Sequence, residues 1–184
     1  MQADSNLRVN GDRLWDSLME MAKIGATPKG GVKRLTLTDL DRDSRALFAK
    51  WGAEAGCELT VDQMGTMFLR RAGNDDSLPP VMIGSHLDSQ PTGGKFDGAL
   101  GVLAALEFVR TLNDLDIKTR HPIEIVNFTN EEGSRFAPAM VASGVFAGVF
   151  DLDWAYARED ETGAKLGDEL ARIGYKGEAA VGGR

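Results

Sequence analysis

The sequence predicts an α/β fold, a mixed sheet with helices on both faces, and three observations carry that expectation. Two short apolar runs, residues 81–85 and 123–128, flank a segment whose apolar residues recur at helical spacing. A strand, helix and strand of this length form a βαβ unit, whose parallel pairing needs helices laid over the sheet. Two amphipathic segments and a hairpin-like pair of β-favouring runs precede that unit.

Each element can be justified in order. Over residues 10–24, Leu14, Leu18 and Met21, with Trp15 and Met19, recur at the helical period, and Asn10 or Asp12 can cap the start. The Gly- and Lys-rich loop ATPKGGVKRL follows. Thr38 with Asp41 three residues on resembles a capping box that uses Asp in place of Glu. Leu47, Phe48 and Trp51 then continue a helix for which Gly56 supplies the stop. Residues 57–62 and 66–71, joined through Gln63, Met64 and Gly65, predict a hairpin. Polar AGNDDSLPP breaks the chain before the strand at 81–85. The helix from 98 to 115 places Val102, Leu103, Leu106, Val109 and Leu112 on one face. Past Gly148 the chain reads as charged loop with one short helix over 166–173. The tail KGEAAVGGR carries no structural signal, and reads as a chain that stops in a connection.

Composition narrows the chemistry. A chain of 184 residues with 42% hydrophobic and 27% charged residues suits one globular domain, or a domain plus part of another. The start MQADSNLRVNGDRLW lacks the basic, apolar and small-residue order of a secretory leader, so a cytoplasmic protein is the expectation. The single cysteine, Cys57, cannot form an internal disulfide or a thiolate cage, and in AGCELTVD it reads as a buried small residue rather than a nucleophile. With 28 acidic against 21 basic residues and a net charge of −7, no stretch offers the clustered Lys and Arg that phosphates require. Nucleic acid and anionic membrane are therefore not expected partners, whereas a cation is.

The candidate chemistry lies at the ends of the two apolar runs, where ligands of open α/β sheets bind. The first delivers His86 and Asp88, and the loop PTGGKF leads to Asp97 at the mouth of the following helix. The second delivers NEEGSRF with Glu131 and Glu132. Neighbouring strands are about 4.8 Å apart, so one imidazole and up to four carboxylates can converge. Like charges about 4 Å apart repel by several kcal/mol in a poorly solvated cleft, and one or two divalent cations remove the conflict. Asp88 can join the ligands or hydrogen-bond back to a ligating imidazole and fix its orientation. Glu131 and Glu132 point apart if the chain there is extended, so that one can bind metal while the other takes a proton from water. The other histidine, His121 in KTRHPIE, precedes the second strand and so lies about 20 Å or more from such a site.

The stretches GSHLDSQPTGGKFDGALGVLAALE and NFTNEEGSRFAPAMVASGVFAG resemble the amidase/hydantoinase/carbamoylase branch of the M20 metallopeptidase-like family. That resemblance implies a zinc-exopeptidase-like catalytic domain, of which these residues would be the N-terminal portion. It implies two divalent ions, zinc first, with manganese, cobalt or nickel as substitutes. His86 would ligate one ion, Asp97 would bridge both and Glu132 would ligate the second, with Glu131 as general base and Asp88 supporting the histidine. The implied reaction is hydrolysis of a C–N bond in an N-carbamoyl amino acid or related ureido compound by a homodimer. The family pattern also implies two further histidine ligands and a dimerisation domain, which leads us to expect weak metal binding and no activity from this chain alone. An M20-type peptidase or deacylase, and a non-catalytic metal- or partner-binding remnant, are the alternatives.

Overall fold

The structure is a computed structural model describing residues 7–182. The start of the N-terminal stretch read for a leader and the end of the KGEAAVGGR tail lie outside those residues. The first two helices are α1 (Gly11–Met21) and α2 (Asp39–Glu54), capped by Asn10 and Thr38, whose side chains accept the N–H groups of Arg13 and Asp41. Gly56 follows α2 with φ +74°, the left-handed stop that glycine supplies.

The hairpin forms as expected from β1 (Glu58–Val61) and β2 (Met67–Arg71), turning through Gly65 at φ +74°. The βαβ unit consists of β3 (Val81–His86), α3 (Ala99–Asp114) and β4 (Ile123–Phe128). β4 pairs parallel with β3 and antiparallel with β2, giving a four-stranded mixed sheet of order β1-β2-β4-β3. β4 lies inside the sheet and is buried along nearly its whole length, while β3 forms an edge and leaves Val81 half exposed.

Alternation along the strands divides the core. Met67, Leu69, Ile123 and Ile125 join Leu18, Phe48, Val102, Leu103, Leu106 and Val109 of the first three helices. On the other side, Phe68 and Phe128 meet Phe146, with ring centroids 6.1 and 5.7 Å away. Phe146 ends α4 (Val141–Phe146), which is followed by α5 (Leu152–Tyr156) and α6 (Leu166–Arg172). The short helix expected at 166–173 is thus present, but the region before it is not simply loop. α4 and α5 are five or six residues long, too short to show a helical period, and they are held by a second core of Leu37, Phe136, Val141, Ala155, Leu166 and Leu170. The tail also has a place, because Ala179 bridges to Asp62 and its carbonyl accepts the Gln63 N–H at 2.9 Å. Among the described residues no helix is long and apolar enough to cross a membrane.

Candidate metal centre

Parallel pairing of β3 and β4, with His86 opposite Phe128, releases both following loops at the same end of the sheet. His86 is the last residue of β3 and its ring is buried. Gly98, at the start of α3, makes that burial possible. It has φ +64°, and a Cβ there would lie 2.5 Å from three atoms of the imidazole. The glycine beside Asp97 therefore clears space for the histidine. His86 Nδ1 lies 2.9 Å from the main-chain oxygen of Asp88. A carbonyl can only accept, so Nδ1 carries a proton, and Nε2 is the nitrogen turned toward the acids.

Those acids gather at Nε2. Asp97 Oδ1 lies 3.9 Å and Glu131 Oε2 3.3 Å from it. One ligand atom each from His86, Asp97 and Glu132 fall within 4.8 Å of one another. Glu132 Oε2 accepts a hydrogen bond from Gln90 Nε2 at 3.0 Å, while its Oε1 is buried with no hydrogen-bond partner. Leaving such an oxygen unpaired costs about 1–3 kcal/mol or more when charged. Among the described residues, no lysine or arginine nitrogen lies within 4.0 Å of the carboxylates of Asp88, Asp97, Glu131 or Glu132. An imidazole and two carboxylates, one of them with an orphaned buried oxygen, form a donor set that fits a divalent cation of the zinc or manganese type.

Asp88 stands apart from that group. Its carboxylate accepts the main-chain N–H groups of both Glu131 and Glu132, each at 3.3 Å, and its Oδ1 is 3.7 Å from His86 Nδ1. It thus orients the histidine through its carbonyl and the glutamate pair through its carboxylate. Burial pushes the Asp88 carboxyl up to about 6, with Asp41 adding repulsion, while His86 and the two N–H groups pull the other way. The expectation that Glu131 and Glu132 diverge in extended chain does not hold. They follow β4 in a bend after Asn130, which has φ +56°, and both are anchored on one carboxylate, so Glu131 turns its carboxylate back to His86.

Three residues of this end were not picked out from sequence. Arg34, 1% exposed, sits in the loop read only as Gly- and Lys-rich. It donates to Leu87 O at 2.7 Å and Ile24 O at 2.8 Å, and its main chain exchanges bonds with Ser89, so it ties the end of α1 to the segment after His86. Asn130 donates to Phe136 O at 2.7 Å and closes the loop that carries the glutamates. Gln90 is the third. An arginine in a loop and an amide in a polar stretch give no sequence signal, since only their folded partners distinguish them.

Arg135, in the GSRF stretch, borders a cleft of about 310 Å³ with Lys33, Pro91 and Asp160. Each of its three guanidinium nitrogens donates, to Asp160, Thr36 O and Glu169, and it acts as a tie between the glutamate loop and α6. Cys57 is buried, and burial pushes its thiol up to about 11, in keeping with a packing role. His121 bonds Pro79 O at 2.8 Å, just before β4 and at the opposite end of that strand from the glutamates.

Fold and site together define a mixed α/β domain with a candidate metal-binding group at the carboxyl ends of its parallel strands. The family model for peptidase family M20/M25/M40 matches residues 82–174, half of the chain, and the protein belongs to that family. The chain is 65% identical over 179 residues to an N-carbamoyl-L-amino-acid amidohydrolase of Rhizobium meliloti, covering 97% of this chain and 43% of that protein. It is 33% identical over 160 residues to an allantoate amidohydrolase of Bacillus subtilis, covering 87% of this chain and 39% of the relative. Among solved structures, an amidase of the hydantoinase/carbamoylase family from Burkholderia multivorans superposes with a TM-score of 0.96 at 63% identity, over 97% of this chain and 43% of that one. The chain thus spans less than half the length of each of these relatives.

Proposed function

We propose that this chain carries the N-terminal portion of the catalytic unit of a metal-dependent amidohydrolase acting on N-carbamoyl-L-amino acids or related ureido compounds. The observation that carries the reading is the gathering of His86, Asp97 and Glu132 within 4.8 Å, with Glu132 Oε1 buried and without a hydrogen-bond partner among the described residues. The likeness to the Rhizobium meliloti and Bacillus subtilis amidohydrolases supports the substrate class. His86, Asp97 and Glu132 are the proposed ligands of a two-ion centre, with Asp97 as the bridge and zinc, then manganese, as the ions. Bound there, the ions would supply Lewis-acid polarisation of the carbamoyl carbonyl and a water acidic enough to ionise near neutral pH.

The chain's own residues do the rest. Asp88 holds the imidazole through Nδ1, with Nε2 turned to the acids, and clamps the backbone of the glutamate pair. Glu131, partly exposed and on the same side of the imidazole, accepts the proton of the attacking water and returns one to the leaving nitrogen. The C–N bond breaks with consumption of one water, and the carbamoyl group departs as carbon dioxide and ammonia, leaving the free amino acid. The remaining ligands and the dimer contacts would come from sequence beyond these 184 residues, in a cytoplasmic homodimer.

The test is metal content and amino-acid release from a panel of N-carbamoyl-L-amino acids, allantoate, N-acyl amino acids and dipeptides. We expect this chain alone to bind metal weakly and to turn nothing over, and a chain of the relatives' length to favour the carbamoyl and ureido compounds. Dipeptides as the best substrates would overturn the substrate class. Two tightly held ions and full activity in this chain alone would overturn its assignment as a portion.

A further inference from the structure

We infer that Gln90 is a positioning residue that selects which oxygen of Glu132 meets the metal; the inference rests on the metal reading above. Gln90 lies on the loop after β3 and Glu132 on the loop after β4, and the 3.0 Å bond from Gln90 Nε2 to Glu132 Oε2 joins the two. The Gln90 end of that bond is well fixed. Its main-chain oxygen accepts the Gly93 N–H at 3.2 Å and the Ser89 hydroxyl at 3.0 Å, and Ser89 is in turn held by buried Arg34. The Glu132 end is fixed through its N–H on Asp88.

With both backbones pinned, the carboxamide has one function left to its N–H. It occupies Oε2 and leaves Oε1, the buried and unpartnered oxygen, as the ligating atom. Glu132 would thereby offer a single oxygen to an ion bound there. Groups that hydrogen-bond to a metal ligand commonly change metal affinity 10- to 100-fold when removed. Gln90 is itself exposed, and an exposed side-chain bond contributes little to folding, so its effect belongs to the metal and not to the fold.

The experiment uses Co2+ alone as the probe, titrated into the protein and into Gln90→Met, a variant of similar length without a donor, with Gln90→Ala beside it. Co2+ affinity, the visible absorption spectrum of the bound ion and the metal-free melting curve are read together. We expect about 10-fold weaker Co2+ binding, a weakened visible band as the freed carboxylate binds through both oxygens, and an unchanged melting curve. Equal affinity and spectrum in wild type and both variants would overturn the role of Gln90 while leaving the metal reading intact. So would a lowered melting temperature with an unchanged spectrum, which marks a structural bond. If the wild-type protein binds no Co2+ at all, the metal reading fails and the role of Gln90 falls with it.

Discussion

Two charge clusters sit within one fold, one buried under α2 and one partly exposed at the strand ends, and their charges are balanced differently. Under α2, Asp41 and Arg45 form an ion pair at 2.9 Å with both side chains at most 1% exposed. Arg45 also donates to Gly65 O and Thr129 Oγ1 and stacks over Tyr175, while Asp41 accepts the Leu37 N–H. At the strand ends, His86, Asp88, Asp97, Glu131 and Glu132 gather, and among the described residues no arginine or lysine lies within ion-pairing distance of those acids. The first cluster is closed in charge by the chain itself and serves the fold, although Asp41 Oδ1 is left without a hydrogen-bond partner. The second is left open in charge, with an imidazole nitrogen facing carboxylates and a Glu132 oxygen without a hydrogen-bond partner among the described residues, an arrangement that could hold a cation.

The largest effect should come from breaking the closed cluster. Arg45→Met leaves Asp41 buried without its partner and is expected to cost about 3–5 kcal/mol of stability, read from urea unfolding. Replacing Asp41 as well should recover much of that loss, and a single-variant cost below about 1 kcal/mol would show that the pair is not the organising feature it looks to be. The open cluster should respond to metal instead. Zinc at about 100 times its dissociation constant should stabilise the protein by about 2.7 kcal/mol. Chelation and His86→Ala should each abolish that gain in a thermal-shift measurement, whereas Arg45→Met should retain it.

A smaller effect sharpens the contrast from the packing side. Gly98→Ala places a Cβ 2.5 Å from the His86 ring at a backbone angle that disfavours side chains. It should cost about 1–3 kcal/mol, and should weaken zinc binding in an isothermal titration because the ring must move. The smallest expected change is a slope with pH in the metal-free protein. The Asp88 carboxyl is held above its ordinary 3.8, so the folded protein takes up a proton that the unfolded chain does not. Its contribution to stability is then fully present below the unfolded value and is lost as pH rises through the folded one, toward about 6. Asp88→Asn should flatten that part of the stability-against-pH curve, and an unaltered curve would remove Asp88 from the open cluster's charge balance.

Much of the fold was legible because it follows from short-range rules. The caps at Asn10 and Thr38, the glycine turn at Gly65 and the alternation of apolar residues in β2 and β4 are decided by neighbours in sequence. The Thr38–Asp41 spacing pointed to the right helix start but hid the second role of Asp41. A capping acid would reach the Thr38 N–H, whereas Asp41 takes Leu37 N–H and Arg45 instead. α4 and α5 were not legible, being too short for a period to show and held in place by the second core.

By itself the sequence determined the βαβ unit, the hairpin and the candidate donors His86, Asp97, Glu131 and Glu132, because residue type and spacing carry donor chemistry and strand direction. The tertiary structure decided which oxygen of Glu132 is left unpaired, which nitrogen of His86 faces the acids, and that Asp88 clamps the glutamate backbone. It also brought in Arg34 and Gln90, whose side chains reach Leu87 and Glu132, each more than 40 positions away. Such bonds depend on where separate loops end in space, and no local pattern encodes that.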